Sequence, residues 1–195
     1  MSVYSVEELK ELGFAQVGHN VLVSRKASFY GTERISLGDH VRIDDFCVLS
    51  AGAGGIHIGN YIHIAVYSSI IGGGSVTLND YCNISARVSI YSSNDDYSGE
   101  YMTNPMVDAC YTNVSYAPVV VGKHVIVGSG SIVLPGVTLG DGCAVGALSL
   151  VSKSLNAWGV YVGQPAKYIK ARRCELLTLE EAFLRSYKVK SAENR

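Results

Sequence analysis

The sequence predicts an all-β solenoid, a chain wound into stacked three-sided coils. Branched aliphatic residues occupy every sixth position from Val121 to Val151, a period that neither an α-helix nor an ordinary strand has. The same spacing recurs upstream in groups of three, and extra residues fall only after the third member of each group. Small residues lie between the aliphatic positions, where a coil must turn its corners.

The first element predicted is a short helix. Ser5 and Glu8 have the spacing of a capping box, ahead of Leu9 and Leu12. We therefore assign residues 1–16 to a helical cap that covers the open edge of the first coil.

Residues 17–170 are predicted to form the solenoid. The inward positions are Val17, Val23, Phe29; Leu37, Ile43, Leu49; Ile58, Ile64, Ile70; Leu78, Ile84, Ile90; and Val121, Val127, Val133, Leu139, Val145, Val151. Each unit is a short strand and a tight turn, and about six coils stacked roughly 4.8 Å apart give a rod of about 29 Å. Cys47, Cys82 and Cys143 fall at corner positions, where we expect small buried side chains.

The longest insertion, about residues 92–119, is predicted to be an extruded loop. It is rich in tyrosine and in acidic residues, which suit a polyhydroxylated ligand because rings stack on sugar C–H groups and carboxylates accept from hydroxyls. Residues 171–195 have apolar side chains at near-helical spacing, and we expect a C-terminal helix that closes or flanks the last coil.

Composition restricts the class of protein. A net charge of −1 argues against binding nucleic acid, and no apolar run approaches the roughly 18 residues of a membrane span. The five cysteines form no CxxC pair, and no cluster has the spacing of metal ligands. We expect a cytoplasmic protein with reduced thiols and no metal.

The segments "VGSGSIVLPGVTLGDGCAVGALSLVSKS" and "VYVGQPAKYI" resemble the hexapeptide-repeat acyltransferases, in particular the galactoside- and maltose-type sugar acetyltransferases. The resemblance covers most of the chain. It implies a left-handed parallel β-helix, an exception to the usual right-handed crossover. It also implies acetyl-CoA as the donor and a homotrimer with acceptor clefts between neighbouring rods.

The position where that family carries its catalytic histidine is Asp95 in this sequence. A free aspartic acid has a pKa of about 3.9, which suits proton removal from a sugar hydroxyl poorly near neutral pH. A neutral amine is already nucleophilic, so the aspartate favours an amino-sugar acceptor over a hydroxyl. Asp96, Tyr91 and Tyr97 lie beside Asp95 and are predicted to bind substrate.

His63 is the second candidate base, because an unperturbed imidazole titrates near pH 6.5. It precedes the inward Ile64, so strand alternation points it outward. Arg42 lies one coil earlier in the same column and Asn83 one coil later. The resemblance places this column against the acceptor, and we predict that Arg42 and Asn83 bind substrate.

The donor site is predicted from stacking and from the resemblance. Ser129 and Ala147 are one 18-residue coil apart, so they lie along one groove that suits a pantetheine arm. The resemblance gives the Ser129 amide an oxyanion-type role at the thioester. The predicted CoA-binding residues are Ser129, Ala147, Ser152, Lys153, Lys167 and Lys170, the lysines being suited to phosphates.

Together these observations predict an acetyl-CoA-dependent sugar acetyltransferase that works without an acyl-enzyme. The favoured acceptor is the amino group of a nucleotide-linked amino sugar, in bacterial lipopolysaccharide and O-antigen biosynthesis. The alternatives are O-acetylation of a sugar, O-acetylation of another small molecule such as an antibiotic, and a non-catalytic β-helix scaffold.

Overall fold

The chain forms a left-handed parallel β-helix of three sheets, as predicted. The computed structural model describes residues 2–193; Met1 and residues 194–195, the outer ends of the predicted cap and C-terminal helix, lie outside the described residues. The helices are α1 (Val6–Glu11) and α2 (Leu176–Glu193), and short 3-10 turns span Thr32–Arg34 and Ala109–Tyr111.

The strands are short, as a six-residue repeat requires. In chain order they are β1 (Gln16–Val17), β2 (Leu22–Val23), β3 (Ser28–Tyr30), β4 (Ile35–Leu37), β5 (Val41–Ile43), β6 (Val48–Ala51), β7 (Ile56–Ile58), β8 (Ile62–Ile64), β9 (Ser69–Gly72), β10 (Val76–Leu78), β11 (Asn83–Ile84), β12 (Ser89–Tyr91), β13 (Ser93–Asn94), β14 (Ser115–Tyr116), β15 (Val119–Val121), β16 (Ile126–Val127), β17 (Ile132–Val133), β18 (Thr138–Leu139), β19 (Ala144–Val145), β20 (Leu150–Val151), β21 (Gly159–Val162) and β22 (Lys167–Ala171).

Every third strand of the helix joins the same sheet. Sheet 1 contains β1, β4, β7, β10, β15 and β18; sheet 2 contains β2, β5, β8, β11, β16, β19, β21 and the antiparallel β22; sheet 3 contains β3, β6, β9, β12, β17 and β20. Six coils are therefore complete. A seventh is partial, formed by the bridge of Leu155 to Leu139 and by the pairing of β21 with β19. The sequence predicted about six coils and missed the partial seventh coil.

The interior confirms the predicted inward positions. From Leu37 to Val151 every one of them is at most 3% exposed, and ladder pairing stacks each on its counterpart in the next coil. In the first coil Val17 and Phe29 are only partly buried against the core. Each buried aliphatic side chain contributes about 1.5–3 kcal/mol relative to exposure, so the stack supplies the main stabilisation.

The corners are tight, and one column of four corner residues adopts positive φ although none of them is glycine. His40, Tyr61, Tyr81 and His124 have φ between 55° and 62° at the turn from sheet 1 to sheet 2. The three predicted corner cysteines are fully buried. Burial raises the pKa of the Cys47 thiol to about 11 and those of the other two to about 12, so these thiols are packing groups.

The two terminal helices contact different parts of the rod. The α1 capping box is present: the Glu8 amide donates to Ser5 Oγ at 3.2 Å, and the Ser5 amide donates to Glu8 Oε2 at 2.7 Å. Helix α2 flanks the rod beside coils three to five, where the edge of the Phe183 ring meets Tyr61 and Tyr81. It therefore lies along the side of the rod, and of the two predicted arrangements, flanking is the one observed.

No helix within the described part of the chain has the length and hydropathy needed to cross a membrane.

Candidate active site

The extruded loop and the last coils of sheet 3 enclose a groove of about 610 Å³, which we call the loop groove. Its lining residues are Tyr91, Ser93, Asn94, Asp95, Tyr97, Val114, Ile132, Leu134 and Leu150. The predicted base Asp95 thus faces the same space as two of its predicted substrate-binding neighbours, Tyr91 and Tyr97.

A small β-ribbon holds Asp95 at the root of the loop. Strand β13 ends at Asn94 and pairs antiparallel with β14, so that Ser93 lies opposite Tyr116 and Asn94 opposite Ser115. The Ser115 hydroxyl also donates to the Asn94 carbonyl at 3.2 Å. Asp95 directly follows this ribbon and is exposed. The ribbon fixes the position of the backbone that carries its carboxylate.

Asp96 turns away from the groove and into its own loop. Its Oδ1 accepts from the Ser98 amide at 3.0 Å, the Ser98 hydroxyl at 2.8 Å and the Gly99 amide at 3.1 Å. The hydrogen bonds from Ser98, followed by that from Gly99, hold the pKa of Asp96 below its usual value. This carboxylate shapes the loop; its predicted contact with substrate stays a prediction.

A second groove, of about 390 Å³, lies on sheet 2 and contains His63. Arg42 and Asn83 pair with His63 in the adjacent coils, so the predicted column is confirmed. Asp44, which the sequence did not single out, joins two of its members: it accepts from Arg42 Nε at 2.7 Å and from His63 Nε2 at 2.8 Å. Because Nε2 is used in this way, the Nδ1 lone pair of a neutral His63 is left as the proton acceptor.

The electrostatics of Asp44 follow from these contacts. Its side chain is 15% exposed. Burial raises the pKa of Asp44, but the hydrogen bonds from His63 and then Arg42 outweigh it and hold the pKa below its usual value. Asp44 is thus an ionised carboxylate that orients the imidazole, the arrangement that fixes a histidine tautomer in many active sites.

The two candidate bases do not share a groove within one chain. Asp95 lies in the loop groove beside sheet 3, whereas His63 lies on sheet 2. Neither residue appears in the lining of the other's groove among the residues that the structure describes. Two bases acting on one substrate would require that a second copy bring its sheet 2 against the loop groove.

The predicted donor groove runs along the corner between sheets 2 and 3. The Leu148 amide donates to the Ser129 carbonyl at 2.9 Å, which stacks the turns of coils five and six. Ser129 and Ala147 are exposed along this corner, as a groove for a pantetheine arm requires. Ser152 is also exposed, but it follows β20 and therefore lies at the corner between sheets 3 and 1, outside this groove.

The predicted phosphate-binding lysines are spread around the last coils. Lys153 follows β20, and Lys167 and Lys170 lie towards the two ends of β22; all are exposed. Lys170 shares a surface recess with Arg172 and Arg173. Arg172 is structural, since its Nη1 donates to the carbonyls of His124 and Gly142 at 2.8 and 3.0 Å.

An aromatic ladder along one edge of sheet 2 also escaped the sequence analysis. His40, Tyr61, Tyr81 and His124 stack in succession with ring centroids 4.5, 5.0 and 4.8 Å apart. Glu180 of α2 fastens the helix to its end by accepting from His124 Nε2 at 2.7 Å and Lys123 Nζ at 2.5 Å. The signal was available: each ladder residue ends a short turn sequence, "GDH", "GNY", "NDY" or "GKH".

Stacked six-residue coils, an extruded loop after the fourth coil and an exposed small-residue edge are the features of the hexapeptide-repeat transferases. Residues 118–153 match the family model "Bacterial transferase hexapeptide (six repeats)". The chain is 62% identical over 176 residues to the dTDP-4-amino-4,6-dideoxy-D-glucose acyltransferase of Escherichia coli, covering 90% of this chain and 92% of that one. The chain belongs to the hexapeptide-repeat acyltransferases.

Two further relatives bear on the site. The N-acyltransferase AntD of Bacillus cereus, solved with dTDP and 3-hydroxybutyryl-CoA, superposes with a TM-score of 0.91 at 47% identity over 96% of this chain and 98% of that one. WbbJ of Escherichia coli strain K12, named for O-acetyl transfer in lipopolysaccharide biosynthesis, is 30% identical over 152 residues, 77% of this chain and 75% of that one. The predicted fold and enzyme class are confirmed.

Proposed function

We propose that this protein transfers the acetyl group of acetyl-CoA to the amino group of a nucleotide-linked amino sugar, of the dTDP-4-amino-4,6-dideoxyglucose type. The observation that carries the proposal is Asp95, a carboxylate at the root of the loop facing a groove large enough for a sugar. A carboxylate suits an amine acceptor because it holds the incoming ammonium and then takes a proton from the attacking amine.

The named relatives support the acceptor. The Escherichia coli relative is named for dTDP-4-amino-4,6-dideoxy-D-glucose, and a variant of AntD was solved with that sugar nucleotide and coenzyme A. Other AntD structures carry changes at one serine and one aspartate that are ten residues apart. Ser85 and Asp95 have the same separation here, which supports Asp95 as the residue that acts on the acceptor.

The reaction proposed is direct transfer. The bound ammonium first loses one proton to solvent. The neutral amine then attacks the thioester carbonyl, a C–N bond forms, and the carbonyl oxygen gains charge that the Ser129 amide stabilises. Asp95 takes the proton that the amine nitrogen loses. The C–S bond then breaks, the amide product remains, and coenzyme A leaves as a thiolate that is reprotonated.

We assign the Asp44–His63 pair to the acceptor cleft of a homotrimer, in which sheet 2 of one rod faces the loop groove of the next. Arg42 and Asn83 lie in the same column and supply a cation and an amide for the sugar nucleotide. This arrangement is supported by the separation of Asp95 and His63 within one chain. We also propose that the reaction takes place in the cytoplasm, in keeping with five free cysteines, as a step of surface-polysaccharide synthesis.

Paired acceptors test the proposal. The purified protein is incubated with acetyl-CoA and either the 4-amino or the 4-hydroxy form of the same dTDP-linked 6-deoxy sugar, and the products are measured by mass spectrometry. We expect turnover of the amino form with at least a hundredfold preference in kcat/KM. Turnover of the hydroxy form alone would establish O-acetylation, the chemistry for which WbbJ is named, and would exclude our assignment.

A further inference from the structure

The outward face of sheet 3 changes chemistry along the rod. Its outward column is serine in coils three and four, at Ser69 and Ser89, which pair with each other. In coils five and six the same column carries Ile132 and Leu150. Ile132 pairs with Ser89 on one side and with Leu150 on the other. The change from hydroxyl to branched aliphatic begins where the loop groove begins.

Three of these aliphatic side chains form one continuous patch. Ile132 in β17 and Leu134 just after it flank the inward Val133, and both line the loop groove. Leu150 lies beside Ile132 in the next coil, about 4.8 Å away. All three line the loop groove, where Val114 faces them from the loop. Ile132 is 39% exposed, and the three side chains together form a contiguous apolar surface, which marks a binding surface more often than a single exposed aliphatic residue does.

The patch lies between the predicted donor groove and Asp95. Ser129 precedes Ile132 by three residues and Ala147 precedes Leu150 by three, so the strands carrying the patch leave directly from the donor corner. At the other end the Leu134 amide donates to the Val151 carbonyl at 3.0 Å, next to Ser152. A thioester delivered along that corner therefore presents its acyl chain to Ile132 and Leu150 before it reaches Asp95.

We propose that Ile132, Leu134 and Leu150 form an acyl-chain site that admits acyl-CoA donors with short chains longer than acetyl, such as butyryl and 3-hydroxybutyryl. This inference rests on the proposed function and extends it from the acceptor to the donor. An acetyl methyl group alone covers little of the patch, whereas a longer chain buries apolar surface on all three side chains. Ser93 and Asn94 line the same groove and offer partners to a 3-hydroxyl group.

The test compares donors on the wild-type protein and on Ile132→Ser. Turnover of the dTDP-linked 4-amino sugar is measured with acetyl-, butyryl- and 3-hydroxybutyryl-CoA. The wild type should use butyryl-CoA with a kcat/KM within about tenfold of acetyl-CoA. Ile132→Ser should lower the ratio of kcat/KM for butyryl-CoA to that for acetyl-CoA about tenfold, because a lost methylene contact in an apolar pocket has that order of effect.

Val48→Ser is the matched control, because Val48 occupies the same outward column in coil two, away from the groove. It should leave the donor preference unchanged. A second variant, Leu150→Phe, fills the patch and should lower the same butyryl-to-acetyl ratio by steric exclusion. A general loss of folding lowers turnover of both donors alike, so it cannot produce a change in this ratio.

Each other outcome is decisive. A wild type that discriminates against butyryl-CoA by more than a hundredfold while using acetyl-CoA overturns the acyl-chain site and leaves the proposed function standing. Absence of transfer from every donor overturns both. If Ile132→Ser instead changes the preference between 6-deoxy and 6-hydroxy acceptors, the patch binds the sugar. If it changes the oligomer on size-exclusion chromatography at unchanged donor preference, the patch is a subunit contact.

Discussion

Replacing Asp95 by asparagine separates the role of its charge from the role of its shape. The amide has the same size as the carboxylate, and the position is exposed at the end of the β13–β14 ribbon. A surface change of this kind alters the free energy of unfolding by no more than about 0.5 kcal/mol. Any large loss of activity therefore reports chemistry and not folding.

The expected size of the effect follows from the proposed role. A general base contributes roughly 10²–10⁴-fold, which corresponds to about 3–5 kcal/mol of transition-state stabilisation. Asp95→Asn should lower kcat by this factor. The dissociation constant for CoA should change less than about twofold, because Ser129 and Ala147 lie at the corner between sheets 2 and 3, whereas the loop that carries Asp95 leaves from the corner between sheets 3 and 1. Asp95→Glu keeps the charge and should retain more activity than Asp95→Asn.

The assay must account for the chain's own thiols. Cys110 and Cys174 are exposed and react with the disulfide reagents commonly used to follow CoA release, so product is better measured by mass spectrometry. Asp108→Asn is the control, since Asp108 is an exposed aspartate in the same loop. If Asp95→Asn keeps more than a tenth of wild-type kcat, or if Asp108→Asn is equally damaging, Asp95 is not the base.

Three further predictions concern the fold and its charged contacts. In the native protein only Cys110 and Cys174 should react with a thiol reagent, as counted by intact-mass spectrometry; modification of a third thiol before unfolding would contradict the burial of the corner cysteines. Ile84→Ala should lower the free energy of unfolding by about 2–5 kcal/mol in urea titrations, because Ile84 is fully buried in a packed stack; a loss below 1 kcal/mol would contradict that packing. The pKa values of Asp44 and Glu180 are held below their usual values, burial being outweighed by hydrogen bonds from basic partners. Their contribution to stability is present above the unfolded pKa values of about 4, and it is lost as the pH falls through the lowered values. Asp44→Asn should therefore make the urea midpoint fall less between pH 5 and pH 3 than it does in the wild type. An unchanged dependence of the midpoint on pH would exclude this contribution.

The interior of the rod could be predicted almost residue by residue because one physical requirement repeats. Each coil buries one aliphatic side chain per side, so the period survives wherever the coil survives. The seventh coil was missed where that period breaks. Leu155 follows Val151 by four residues, and the next inward residue, Tyr161, is aromatic. A partial coil at the end of a stack has only one neighbour and tolerates such irregularity.

The contacts between coils could not be predicted in the same way, since they depend on insertion lengths. Asp44 and His63 are 19 residues apart, and the ladder residues Tyr81 and His124 are separated by the whole extruded loop. A sequence period identifies which residues point outward. It does not specify which corner residues of neighbouring coils contact each other, because insertions change their separation in sequence. The column of Arg42, His63 and Asn83 was found because those residues pair directly across the sheet.

Because the interior is uniform, this fold can encode function only in its outward columns, its corners and its loop. The column on sheet 2 is polar in coils two to four, and that on sheet 3 becomes aliphatic in coils five and six. The two specialised surfaces lie on different sides of one prism and at different heights, and the candidate bases are divided between them. Under the proposed function a single rod carries two halves of a site, and the polar half of one copy must meet the apolar half of another for both to serve one substrate. Closing the rods into a symmetric ring satisfies this requirement at every cleft with the same pair of surfaces.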